Sequence, residues 1–377
     1  MASSPGIPVV DFSPFYSQDP AHRLKTGTAI FEALRDIGFL YLINHGVSEG
    51  LIQESFAQVS FSPQYYHDGT GDWHCPIIYF PQSRAFFDLP LSDKLKAPHP
   101  PESWNQRGYS QVGQENVSQY PDALNTGTTS ANIVASVLEL KEAFDLGREN
   151  DTNLPNIYPP ASILPNFRDV TLKLFRTLHS LGIDVLHALA LGLQLKDEKF
   201  FSHHHGNDGK EDPMNQLRFL HYPAITKAVA AKGGLTRISP HTDKGTLTLL
   251  LQEDDGVGGL EVEAERGGRY VPVPVMPGGI LVNIGDLLQF WSNDTLRSTR
   301  HHIGLPDLNS EVGGGDLLLP RRFSIPYFVA PDWDTVVECL DSPLCWGDAK
   351  PKKNEPIRAW DYIVKSMEGG HEARKKE

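Results

Sequence analysis

The chain has 377 residues, 40% hydrophobic and 21% charged, with a formal net charge of −13. That is ordinary globular composition with enough apolar material for a sizeable core, and the acidic balance leaves no basic stripe for nucleic-acid phosphates. The three cysteines, Cys75, Cys339 and Cys345, are scattered and odd in number, so they suggest neither a disulfide framework nor a zinc ribbon. No signal-like segment and no run of about 18 apolar residues stands out. The expectation is a cytoplasmic monomer with a small-molecule partner and no nucleic-acid or membrane partner, and with a solvated basic tail at Arg374-Lys375-Lys376.

In chain order, residues 7–11 (IPVVD) read as a short strand. Residues 22–36 read as a helix, because Ile30, Leu34 and Ile37 recur at intervals of three and four. Gly38 ends it, residues 39–43 (FLYLI) read as a buried strand, and a second helix begins near Ser48. Residues 59–82 break the pattern, with turn formers and aromatics but neither period. Joining Gln58 to Ser83 gives LIQESFAQSRAFFDLPLSDK, in which Ile52, Phe56 and Phe87 share one helical face. Every valine codon begins GT and one glutamine codon ends AG, so the block from Val59 to Gln82 reads as an insertion or a retained intron.

Residues 164–193 carry a long, densely apolar helical pattern suited to a central packed helix. From 217 to 328 the texture changes to short β-rich runs between turn residues: LRFLHY, TLTLLLQ, LEVE, YVPVPV, ILVNI, LLQFW, RSTRHHIGL and RFSIPYFVA. The predicted fold class is mixed α/β, mainly β, with a sandwich or jelly roll of short strands flanked by helices. Residues 1–150 are expected to pack on the same core as residues 151–377, which hold the jelly roll, the long helix before it and a C-terminal helix.

Chemistry enters at His241-Thr242-Asp243, read as the head of a strand HTDKGTLTLLLQ. Alternation along a strand would present an imidazole and a carboxylate on one face. His301, from a later segment, would complete two histidines and one carboxylate, a set that leaves three positions open on Fe(II). Arg322-Phe323-Ser324 places a guanidinium and a hydroxyl together, suited to holding a carboxylate. Singly, each of these motifs is commonplace.

Together and in this order they resemble a family. From IPVVDFSPF and GFLYLINHGV, through RGYSQVGQENVSQ and NQLRFLHYP, to HTDKGTLTLLLQEDDGVGGLEV, VNIGDLLQFWSNDTLRSTRHHIGLP and RRFSIPYFVAP, the chain is similar to the isopenicillin-N-synthase-like branch of the 2-oxoglutarate/Fe(II)-dependent dioxygenases, in its fungal-type form. The resemblance implies a distorted double-stranded β-helix (jelly roll) core. His241, Asp243 and His301 would ligate Fe(II), and Arg322, Ser324 and Tyr222 would hold the distal carboxylate of 2-oxoglutarate. With O2 as second cosubstrate, the expected reaction hydroxylates or desaturates a small molecule of secondary metabolism and releases succinate and CO2. Two alternatives share the motifs: an iron oxidase that works without 2-oxoglutarate, as isopenicillin N synthase does, and a non-catalytic module that captures a small acid.

The chain departs from the family pattern in two places. His302 stands where an arginine usually follows the distal histidine, and the stretch from His301 to Arg322 is lengthened by a loop at Gly313–Gly315. Candidates for the substrate wall are residues 109–118, Phe328 and the surroundings of Trp360. His203-His204-His205 reads as a polar loop and Gly258-Gly259 as a turn. His74, Cys75 and His45 are given no role in the chemistry.

Overall fold

Alternation decides the architecture. In the strand Leu247–Gln252, Leu247, Leu249 and Leu251 enter one apolar core while Leu250 packs against another. In Arg322–Val329, Phe323, Ile325, Tyr327 and Val329 join that first core. Arg322 and Ser324 therefore point to the opposite face. Each strand has a helix-facing side and an interior side, and the interior side carries the chemistry.

The computed structural model describes residues 6–58, 66–67, 73–74, 86–102, 104–117, 137–206, 214–253, 257–265, 267–305, 316–348 and 350–372. Apart from the paired two-residue strands Tyr66–His67 and Trp73–His74, the block at 59–82 lies outside the described residues. So do Ser118, the glycines at 313–315 and the basic tail.

An eight-stranded sheet runs in the order Val9–Asp11, Phe39–Ile43, Ile280–Ile284, Leu247–Gln252, Arg322–Val329, Gln216–Tyr222, Glu142–Leu146, Gly108–Ser110. Four of its eight strands come from the first 150 residues, so both halves of the chain build one sheet. A four-stranded sheet faces it, in the order Ile238–His241, His301–Ile303, Leu260–Glu263, Tyr270–Pro272. Phe39, Tyr41, Leu220 and Leu281 of the large sheet share a core with Ile238, Leu260, Val262 and Ile303 of the small one. Two sheets closed face to face over a common interior make the double-stranded β-helix.

Helices cover the outer face of the large sheet. Phe167–Gly192 sends Leu174, Leu178, Leu181, Val185 and Leu189 into the first core. It is long and apolar enough to cross a membrane by length and composition, but most of it is buried within the protein. Pro20–Asp36 crosses it at a glycine contact. A Cβ on Gly27 would lie 2.3 Å from the carbonyl oxygen of Ala188, and one on Gly192 would lie 2.2 Å from that of Gly27. The helix Glu49–Ala57 ends beside Gln58, whose carbonyl accepts a 2.9 Å hydrogen bond from the backbone N–H of Phe86.

Two of the expected strands differ in the structure, one forming a helix and the other broken in two. The run LLQFW lies in a six-residue helix, Asp286–Trp291, buried throughout. A helix with no exposed face shows no amphipathic period, so its sequence reads as a β run. The expected strand HTDKGTLTLLLQ is two pieces, Ile238–His241 and Leu247–Gln252.

Candidate metal centre

The break follows from Gly245. A Cβ there would lie 2.5 Å from the carbonyl oxygen of Val329, so the backbone runs hard against its neighbour and the ladder restarts only at Leu247. His241 closes one strand and Asp243 sits in the connecting turn. The turn, not strand alternation, brings the two side chains together. His301 opens its strand and pairs with His241 across the small sheet.

One ligand atom from each of His241, Asp243 and His301 lies within 4.8 Å of the others. Each ring is aimed by its far nitrogen. Nδ1 of His241 donates to the carbonyl of Ser239 at 2.8 Å, and Nδ1 of His301 donates to that of Thr299 at 3.1 Å. Both Nε2 atoms then face inward, each 3.9 Å from Oδ1 of Asp243. The other carboxylate oxygen is occupied: Oδ2 of Asp243 accepts from Thr248 Oγ1 at 2.6 Å and Asn283 Nδ2 at 2.7 Å. Phe39 presses edge-on against His301, ring centroids 5.5 Å apart.

Burial lowers the pKa of His241 to about 3, and the neighbouring His301 adds to the effect. Burial opposes ionisation of Asp243, but the two histidines and the Asn283 and Thr248 donors outweigh it and hold the carboxyl below its usual range. A neutral imidazole and an ionised carboxylate are the forms a metal ion needs. The set of two nitrogens and one oxygen, each oriented by a second hydrogen bond, fits Fe(II).

Further along the interior, Arg322 faces Tyr222 in register, its guanidinium carbon 5.2 Å from the tyrosine ring centre. Nη1 of Arg322 donates to Ser324 Oγ at 3.3 Å and Nη2 to Gln252 Oε1 at 2.9 Å. Arg322, Ser324 and Tyr222 are all buried. Thr248, which touches Asp243, and Gln252, which touches Arg322, lie four residues apart on one strand, about 13 Å at 3.3 Å per residue.

His302 points away from His301, as neighbours on a strand must. Its Nε2 lies 2.9 Å from Glu261, and its ring meets Tyr270 at 4.3 Å between centroids. The remaining candidates separate. Tyr109 is buried in the helix-facing core and gives its hydroxyl to Glu142, so it does not line the interior. Val117 belongs to the interior core, and Phe328 pairs with Thr248. Trp360 stacks on Trp333 with centroids 4.4 Å apart.

The three histidines at 203–205 do not form a polar loop. They close a short 3-10 helix, and His205 is fully buried, bonded to the carbonyl of Phe201 at 2.7 Å and to Thr246 Oγ1 at 2.8 Å. His45 is buried and accepts from the N–H of Val47. Gly258 and Gly259 take positive φ in the turn before Leu260.

Sequence reasoning missed Thr248, Asn283 and Gln252: Asn283 and Gln252 lie 40 and 70 residues from the groups they hold, and Thr248, five residues past Asp243, stands on the next strand. It also missed a buried charged wall. Lys141 Nζ lies 3.1 Å from both Glu115 and Glu139, and Arg218 bonds Glu115 and Asp145. Burial alone would raise the pKa of Glu115, but Arg218 and Lys141 hold it well below the normal range. Inward alternation of Arg218 with Leu220 and Tyr222 was the available signal.

Known proteins match this arrangement. Residues 213–331 fit the pattern of the 2OG-Fe(II) oxygenase superfamily. Residues 7–61 and 79–165 fit that of the non-haem dioxygenase in morphine synthesis N-terminal region. A proline hydroxylase of Petromyces alliaceus is 35% identical over 94% of this chain and 96% of its own length. A 2-oxoglutarate-Fe(II) type oxidoreductase of Metarhizium rileyi is 34% identical over 94% of this chain and 89% of its own. A full-length protein of Neurospora crassa, solved in complex with alpha-KG and thymine, superposes with a TM-score of 0.75 at 30% identity, covering 96% of each chain.

Proposed function

Because the chain belongs to the 2OG-Fe(II) oxygenase superfamily, we propose that His241, Asp243 and His301 hold its Fe(II) and that Arg322, Ser324 and Tyr222 hold the distal carboxylate of 2-oxoglutarate. The chain is an Fe(II)- and 2-oxoglutarate-dependent dioxygenase, an oxidoreductase that hydroxylates or desaturates a small organic molecule and releases succinate and CO2. The convergence of two imidazole nitrogens and one carboxylate oxygen within 4.8 Å is the observation that carries the ligand assignment. When bound, Fe(II) supplies the redox chemistry that couples O2 and 2-oxoglutarate to oxidation of the substrate.

The chain's own residues do the positioning. Arg322 offers a buried, fixed fork to a carboxylate and Ser324 a hydroxyl beside it, so the cosubstrate is gripped at its far end and aimed along the interior. Thr248 and Asn283 occupy one oxygen of Asp243 and leave the other to face the two histidines. The charged groups of Glu115, Lys141 and Arg218 favour a small polar substrate over an apolar one.

At finer grain, the chain is a fungal-type member of the isopenicillin-N-synthase-like branch, acting in secondary metabolism as a cytoplasmic monomer away from nucleic acid and membranes. Its fungal relatives support the fungal-type reading, and its net charge of −13 speaks against a nucleic-acid partner. The block 59–82 is foreign to the framework. The N-terminal family pattern is interrupted between residues 61 and 79, and residues 58 and 86, joined by a backbone hydrogen bond, stand four apart once those residues are removed, which is helical spacing. Sequencing the transcript decides between a retained intron and a coded insertion.

Anaerobic titration with Fe(II) and then 2-oxoglutarate tests the site. The expected result is a weak visible charge-transfer band that is lost in Arg322→Ala and His301→Ala. Iron bound without a band would overturn the cosubstrate assignment, and absence of iron binding would overturn the ligand set.

A further inference from the structure

The residues on either side of Asp243, and Ser298 three residues before His301, converge on one carboxylate that touches no ligand side chain. Asp286 opens the short helix Asp286–Trp291 and is 5% exposed. Its Oδ2 accepts from Thr242 Oγ1 at 3.0 Å and Lys244 Nζ at 2.9 Å, the residues on either side of Asp243. Its backbone N–H donates to the carbonyl of Asp243 at 2.8 Å. Its Oδ1 accepts from Ser298 Oγ at 2.6 Å. One helical turn on, Gln289 accepts from the backbone N–H of Ser298 at 2.7 Å. Ser298 precedes Thr299, whose carbonyl sets the ring of His301.

One buried anion thus grips both ligand-bearing segments. It has a fourth donor from elsewhere in the chain: Tyr362 of the C-terminal helix Ala359–Glu372 gives its hydroxyl to Oδ2 at 3.0 Å. Tyr362 is 3% exposed. We infer that Asp286 is a positioning residue of the metal centre, and that the C-terminal helix acts on that centre through the Tyr362 hydroxyl. This rests on the ligand assignment proposed above. A carboxylate accepting several charge-assisted or hydroxyl hydrogen bonds fixes all its donors at once. Supporting shells of this kind govern metal affinity by about 10- to 100-fold.

Cobalt(II) titration of the full chain, read by the visible spectrum of the bound ion, tests the inference without turnover. Thermal midpoints of the metal-free proteins are measured alongside. Asp286→Asn is expected to weaken cobalt affinity by about 10- to 100-fold and to alter the spectrum. Tyr362→Phe, which keeps the ring and removes one donor, is expected to weaken it by about two- to tenfold, and unchanged binding in this variant overturns the helix's part in the inference. A scaffold role alone would lower the midpoints and leave affinity and spectrum as in the wild type, and that result overturns the inference. If Asp286→Asn fails to fold by circular dichroism, Tyr362→Phe and Ser298→Ala decide the matter, since wild-type cobalt binding in both overturns it. Failure of the wild type itself to bind cobalt would instead remove the ligand assignment, and the brace with it.

Discussion

At the scale of single residues, Asp243 is held by groups outside the His241-Thr242-Asp243 triplet. Thr248 and Asn283 take one oxygen and leave the other facing the two histidines. Asn283→Ala is expected to lower metal affinity by about 10- to 100-fold, with the thermal midpoint little changed, measured by anaerobic metal titration. Ala at His241, Asp243 or His301 is expected to abolish succinate release in a coupled assay. His205 carries the pH dependence that is easiest to isolate. Burial lowers its pKa to about 3, against about 6.5 when unfolded. Above pH 6.5 both states are neutral and nothing is lost. Below it only the unfolded state takes the proton, so stability falls by about 1.4 kcal/mol per pH unit until about pH 3. Between pH 6.5 and 5 the wild type is expected to lose about 2 kcal/mol more than His205→Gln in urea unfolding. Equal losses would show that this side chain is not held neutral.

At the scale of elements, legibility followed periodicity. The helices Pro20–Asp36 and Phe167–Gly192 were readable because each has one wet face and one dry face. Asp286–Trp291 was not, since all six residues are buried and a uniformly apolar run carries no period. The break at Gly245 was equally silent, because it depends on how close Val329 comes from a strand far along the chain. Sequence pattern and family likeness named the candidate metal triad and the arginine and serine proposed to hold a carboxylate, but which groups support them appears only in three dimensions. The glycine contact between the two long helices gives a sharp test. Gly192→Ala would put a methyl 2.2 Å from the carbonyl oxygen of Gly27, so it is expected to destabilise by about 1–3 kcal/mol or more in urea unfolding. The hydrogen bond from Phe86 to Gln58 gives another. A chain lacking 59–82 is expected to fold with an unchanged far-UV spectrum apart from a slight helical gain, and to keep its metal affinity. Loss of the fold would show the block to be part of it.

At the scale of the molecule, the two family-matched regions share one sheet and are expected to unfold as one unit. Strands from before residue 150 lie at both ends of the large sheet and enclose strands from the second half, so neither region has a complete sheet of its own. Calorimetry is expected to show a single unfolding transition that rises when metal and 2-oxoglutarate are added together, because both bind the folded state alone. Two separated transitions would contradict the shared sheet. The large sheet also ends, on both flanks, in strands of three residues, Val9–Asp11 and Gly108–Ser110. A strand so brief offers an incoming chain few N–H and C=O groups to template on, and on the Gly108–Ser110 flank both backbone groups of Tyr109 are already bonded to Ala97 and His99. The brevity of its borders therefore guards this broad sheet against stacking edge to edge into fibres, a protection built from backbone length and independent of surface charge or salt.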